Sequence, residues 1–177
     1  MNTYIALFRG INVGGKNILS MKALVGVLEE VGCKHVSTYI QSGNAVFQSS
    51  EARTTRIAEA IATGVMKSNG FTPKVLVLGV ADLENAIENN PYKTTEGKTL
   101  HFFFLESRPL HPDLKGLMNV TSSTEEFGLV GRTFYLYAPD GIGRSKLAAR
   151  AEELLGVSAT ARNLNTVSKL AAMVKQV

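Results

Sequence analysis

At 177 residues, 45% hydrophobic and 19% charged, the chain suits one large domain or two small ones sharing a core. No apolar run approaches the roughly 20 residues that span a bilayer. The N-terminus lacks the basic-then-apolar layout of a signal peptide, and the single cysteine, Cys33, excludes an internal disulfide and is the wrong count for a zinc site.

The elements follow in order. Tyr4 to Phe8 reads as a short buried strand closed by Gly10. After a glycine-rich loop, Ser20 caps a helix to about Val31, with Met21, Leu24, Leu28 and Val31 at helical spacing and Gly32 as its stop. "HVSTYI" and "AVFQ" form a hairpin about the turn "QSGN". A helix from about Ala52 to Ser68 and the strand "KVLVLGV" complete a β-α-β-β-α-β order, the ferredoxin-like arrangement. The order then recurs. A helix from Ala81 to about Asn89 leads into the strand "TLHFFFLE", and Leu114 to Met118 is a short helix. "EEFGLV" and "TFYLYAP" flank a second hairpin turn at Gly131-Arg132. A helix runs from about Ser145 to Leu155, "SATA" is a short last strand, and Leu164 to Val174 closes the chain. The fold class expected is α+β, two ferredoxin-like halves in tandem with mainly antiparallel sheets, the first over residues 1–80 and the second, with the C-terminal helix, over 81–177.

Four polar stretches could carry function. The first, "RGINVGGKN", fits the G-x-x-x-x-G-K phosphate loop from Gly10 to Lys16, but Asn17 stands where a magnesium-binding hydroxyl belongs. The hairpin order and the delayed helix also disagree with the parallel sheet that such loops need. A nucleotide-hydrolase site is therefore not expected. Gly14 and Gly15 can still present backbone N–H groups to an anion, beside Arg9, Asn12, Lys16 and Asn17. The bland reading is a connector whose asparagines bond their own backbone. The second stretch, "YIQSGNAVF", offers Gln41, Ser42 and Asn44, or simply a turn. In the third, "PDGIGRSKL", Ser145 caps a helix that starts beside Arg144 and Lys146, and cations there suit an anionic partner better than the helix itself. In the fourth, "TARNLNTVSKL", Arg162 and Lys169 could meet phosphate or carboxylate, and Asn163 or Asn165 could cap the last helix.

No catalytic set stands out. His35, His101 and His111 are scattered away from any nucleophile motif or metal-ligand spacing, and His101, alternating with Phe residues, reads as a satisfied sheet residue. Phe102, Phe104, Tyr135 and Tyr137 are candidates for stacking on RNA bases, although their alternation with core neighbours favours packing. No cofactor or metal is implied. The net charge of +4 is uneven: residues 1–48 hold four Lys/Arg against two Glu, 49–140 nine against eleven acids, and 141–177 six against two. The basic ends suit an anionic partner.

Taken together, "ALFRGINVGGKN", "TYIQSGNAVF", "PDGIGRSKL" and "TARNLNTVSKL" resemble an uncharacterised bacterial family, domain of unknown function 1697. The resemblance implies the same two-halved α+β fold and brings no activity, substrate or catalytic residue. That family often has Trp where this chain has Leu164, so no base-stacking role comes to that position. The expectation for function is a cytoplasmic protein that binds a phosphate-bearing ligand, nucleotide or nucleic acid, without a membrane partner, its oligomeric state open. The alternatives are an enzyme on a small phosphorylated or acidic metabolite, with Lys16 or Lys146 stabilising charge, and a protein-interaction module using open sheet edges.

Overall fold

The computed structural model describes residues 1–177. Two compact units make up the chain: Met1–Glu84 with Lys169–Val177, and Asn85–Ser168. The last nine residues thus group with the first unit, although the sequence reading places them with the second half.

In the first unit the order is β1 (Asn2–Arg9), α1 (Met21–Glu30), β2 (Lys34–Tyr39), β3 (Asn44–Ser49), α2 (Thr54–Asn69) and β4 (Lys74–Gly79). The strands lie in the order β2-β3-β1-β4, every pair antiparallel. The central strand β1 is apolar and buried on both faces, which is why "YIALF" is a continuous apolar run rather than an alternating one. Tyr4, Ala6 and Phe8 pack with Leu24, Leu28, Ile57, Ile61 and Val65 of the two helices. Ile5 and Leu7, on the opposite face, are also fully buried. The Ser20 hydroxyl accepts from the Ala23 N–H and fixes the start of α1, while Gly70, at φ 78°, takes the left-handed position that ends α2. Cys33 is buried in this core, and burial pushes its thiol up to about 11, so it packs rather than reacts.

The chain continues through α3 (Val80–Glu88) to the second unit: β5 (Leu100–Leu105), α4 (Leu114–Val120), β6 (Glu126–Val130), β7 (Thr133–Tyr137), α5 (Lys146–Leu155), β8 (Ala159–Asn163) and α6 (Leu164–Val174). Its sheet repeats the first, in the order β6-β7-β5-β8, again antiparallel throughout. Phe103, Leu105, Phe134 and Leu136 face Leu117 of α4 and Leu147, Ala151 and Leu154 of α5. The fold is α+β, with two similar halves. No helix is long and apolar enough to cross a membrane.

Two expectations change. β8 runs two residues past "SATA", so Arg162 and Asn163 are strand residues paired with Phe102 and His101. His101 is not satisfied: its Nδ1 is buried without a hydrogen-bond partner. It stands on the same face of β5 as Phe103 and Leu105, with Leu136 of β7 and Asn163 of β8 as its register partners. Burial accordingly lowers its pKa below the usual histidine value.

Candidate functional site

In the first unit, the glycine-rich loop is a miniature hairpin. Val13 and Lys16 form an isolated antiparallel bridge, the Lys16 N–H donates to the Val13 carbonyl at 3.0 Å, and the Asn12 N–H donates to the Asn17 carbonyl at 3.1 Å. Gly14 and Gly15 are the two central residues, at φ 58° and 72°, the signature of a two-residue I′ turn. A phosphate loop would wrap its backbone N–H groups around the anion and run straight into a helix. Here the lysine N–H is spent inside the turn and α1 begins only at Met21.

The asparagines of this loop hold its backbone together. Asn12 Nδ2 donates to the carbonyls of Leu19 and Gln41, both at 2.8 Å, while its Oδ1 accepts from the Leu19 N–H at 2.8 Å. Asn17 Nδ2 donates to the Gly10 carbonyl at 3.0 Å. Both asparagines sit at positive φ, 54° and 52°. The first two polar stretches therefore meet, and Asn12 is the tie.

The Gln41–Asn44 turn is held as firmly. The buried Asn44 side chain donates to the Tyr39 carbonyl at 2.9 Å and to the Ser42 hydroxyl at 3.3 Å. The Phe8 N–H donates to the Gly43 carbonyl at 2.9 Å. Gly43 has φ 85°, and a Cβ there would lie 2.5 Å from Ile11 and 2.7 Å from Phe8, so only glycine fits. Lys169 places its ammonium 6.0 Å from the centre of the Tyr39 ring, beside the same turn. Around this tie the surface is partly apolar: Val13, Ile18 and Ile40 are exposed, next in the chain to Asn12, Leu19 and Gln41. Lys16, Gln41 and Ser42 are exposed with them.

The second unit brings the third stretch to a true concavity. A cleft of about 510 Å³ is lined by Asn119–Ser122 at the end of α4, by Glu125, by Asp140-Gly141, and by Arg144, Ser145 and Lys146 at the start of α5. A left-handed Gly141 (φ 97°) and a short 3-10 turn, Ile142–Arg144, deliver the two exposed cations. The Ser145 hydroxyl accepts from the Ala148 N–H at 3.0 Å, capping α5. The acids are already engaged: Asp140 accepts from the Thr124 hydroxyl at 2.6 Å and Glu125 from the Ser122 N–H at 3.0 Å. Asp140 belongs to the third stretch itself, whereas the segment from α4 and Glu125 carry no motif, and sequence reasoning missed them.

The fourth stretch divides by role. Asn163 caps α6, its Oδ1 accepting from the Thr166 N–H at 3.0 Å. Asn165 lies against Gly97, where a side chain would collide with it. Arg162 is half-buried, donates to the Ala161 carbonyl at 2.9 Å, and is lowered by burial to about 10. Of the aromatic candidates, Phe102, Phe104 and Tyr135 are buried, and the Tyr135 hydroxyl donates to the Ala86 carbonyl at 2.6 Å. Their rings are core, as the alternation indicated; Tyr137 alone is half-exposed.

A two-halved α+β protein with polar, cation-bearing loops is the class these observations define. The chain belongs to the family described as protein of unknown function DUF1697, whose model matches residues 1–135. The α5 and α6 stretches lie beyond that match. Among solved structures, a conserved bacterial protein from Streptococcus pneumoniae shares the fold, with 23% identity, 98% of each chain covered and a TM-score of 0.77. No curated protein matches.

Proposed function

We propose that the protein binds a small phosphate-bearing ligand, and that the cleft at the start of α5 receives the phosphate. The observation that carries this reading is the pairing of shape with charge. The cleft, about 510 Å³, falls within the roughly 300–1,000 Å³ of ordinary small-molecule sites, and Arg144 and Lys146 stand at a helix N-terminus, where backbone dipoles already favour an anion. Cations at that position work against the helix itself, which supports a role outside folding.

The lining is not purely basic. Glu125 and Asp140 balance Arg144 and Lys146, so the preferred ligand carries hydrogen-bond donors besides its phosphate, as a phosphorylated sugar or a mononucleotide does. A nucleic-acid strand laid on the sheet has less support, since Phe102, Phe104 and Tyr135 have no free face. In the first unit, Arg9 and Lys16 belong to an accessory basic surface beside Gln41 and Ser42. Asn12, Asn17 and Asn44 serve this surface as its framework.

The test is a titration of inorganic phosphate and of a mononucleotide against the wild-type chain and against Arg144→Gln/Lys146→Gln. Saturable binding lost in the double variant supports the proposal. Equal binding by both proteins removes it.

A further inference from the structure

A second concavity lies in the same unit, on the opposite face of the same sheet. It measures about 370 Å³ and is lined by Pro91, Tyr92, Lys93, Glu126 and Tyr137. The sequence motifs do not touch it. It is built in three steps from groups far apart in the chain.

First, the end of α3 is anchored on the sheet by the Tyr135 hydroxyl, which donates to the Ala86 carbonyl at 2.6 Å. Second, the segment leaving α3 crosses β6 at Gly128, the register partner of Tyr135. A Cβ at Gly128 would already lie 3.3 Å from Pro91 and 3.6 Å from the Tyr92 hydroxyl, so the missing side chain lets the segment lie flat. Third, Asn90 locks the segment through reciprocal bonds: its Nδ2 donates to the Tyr92 carbonyl at 2.9 Å and its Oδ1 accepts from the Tyr92 N–H at 3.1 Å. Tyr92 is thereby held above the cross-strand pair Glu126–Tyr137. Tyr92 and Glu126 line the same cavity, and partial burial, with the Glu126 charge after it, raises the Tyr92 phenol.

The result is a corner lined by two tyrosines and a proline, together with one carboxylate and one ammonium. Aromatic side chains offer a planar ring a surface to stack on. The Glu126 carboxylate only accepts hydrogen bonds, and so asks for an amine on the ring edge, whereas Lys93 only donates. A cationic ligand would gain from Glu126 but meet Lys93. We propose that this corner binds a planar heteroaromatic ring with an exocyclic amine, the chemistry of an amino-bearing nucleobase. The site is separate from the phosphate cleft and needs no phosphate.

The experiment uses adenosine, which has the ring and the amine but no phosphate, titrated calorimetrically into the full chain, with tyrosine ring signals followed by NMR. Saturable binding with shifts at Tyr92 and Tyr137 is expected. One lost stacking contact weakens such binding by about 5- to 150-fold, so Tyr92→Leu and Tyr137→Leu should each fall in that range. Gly128→Val keeps both rings but lifts the segment, and should also weaken binding. Inosine, with a carbonyl in place of the amine, should bind more weakly, and Arg144→Gln should bind adenosine as wild type does. Should Tyr137→Leu fail to fold, Tyr92→Leu, on the surface segment, still decides. No saturable binding at millimolar adenosine, or unchanged binding in Tyr92→Leu, overturns the proposal. So does tighter binding of tetramethylammonium, which would make the corner a cation cage. A failure here with phosphate binding intact leaves the α5 cleft standing, and the reverse also holds.

Discussion

Asn12 and Gln41 stand 29 residues apart and are joined by one hydrogen bond, from Asn12 Nδ2 to the Gln41 carbonyl at 2.8 Å. The same amide holds Leu19 by both its N–H and its carbonyl. One side chain thus ties the loop after β1, the approach to α1 and the β2–β3 turn. Asn12→Ala leaves all three backbone groups short of a partner. At about 1–3 kcal/mol for partly buried groups so abandoned, the variant should lose that much stability in chemical denaturation. A loss below about 0.5 kcal/mol, less than a typical net hydrogen bond contributes, would mean that the tie is incidental.

Ile40 is a β-branched residue at φ 50°, with its side chain 47% exposed. L-residues in this region cost about 1–2 kcal/mol. Ile40→Asn should therefore stabilise the protein, by up to about 1 kcal/mol, since asparagine tolerates the left-handed region. A destabilised Ile40→Asn would show that the aliphatic side chain has a packing role.

His101 gives a pH dependence of defined sign. Its folded pKa is lowered by burial, so below the unfolded value of about 6.5 the unfolded chain binds the proton and the folded chain resists it. Its contribution is level above that value, and stability falls as pH drops from there toward the folded pKa. Denaturation midpoints between pH 8 and 5 should show this decline, and His101→Leu should reduce it. An unchanged profile in the variant would assign the decline to other groups.

The glycine hairpin should not support magnesium-dependent ATP turnover. The Lys16 N–H is held by the Val13 carbonyl, and Asn17 offers no hydroxyl for the metal. A phosphate-release assay with ATP and magnesium should show no turnover above buffer. Turnover abolished in Lys16→Ala would contradict the hairpin reading.

Much of the fold was legible because its signals are local. Ser20 and Ser145 announce their helices through their own caps, and Gly70 and Gly156 end theirs in the left-handed conformation. Leu164–Val174 was readable to the residue from its apolar spacing. The glycine loop was half legible. The connector whose asparagines bond its backbone was legible, whereas two glycines between Val13 and Lys16, the mark of a two-residue hairpin turn, went unread beside the phosphate-loop pattern that had to be set aside. His101 was misread because alternation tells which face a residue takes and not whether a partner waits there. The α5 cleft and the tyrosine corner were out of reach. Asn119–Ser122 and Glu125 join the third stretch only when α4 and the β6–β7 hairpin close beside α5, and Tyr92 and Tyr137 line one cavity where Gly128 leaves room for the segment after α3.

Arg144 and Lys146 serve a ligand rather than the fold in the proposed function, and one pair of curves on one variant separates the two roles. In Lys146→Gln, mononucleotide affinity should fall while thermal stability does not. Removing a cation from the first turn of α5 should leave stability unchanged or raise it by about 0.3–1 kcal/mol, the usual scale of a charge at a helix end. Mononucleotide binding, measured by calorimetry at two salt concentrations, should weaken by roughly tenfold, the scale of one charge-assisted hydrogen bond, and wild-type binding should fall only modestly with salt, unlike that of a long nucleic-acid contact. A variant that loses stability while binding the nucleotide as wild type does would contradict the account.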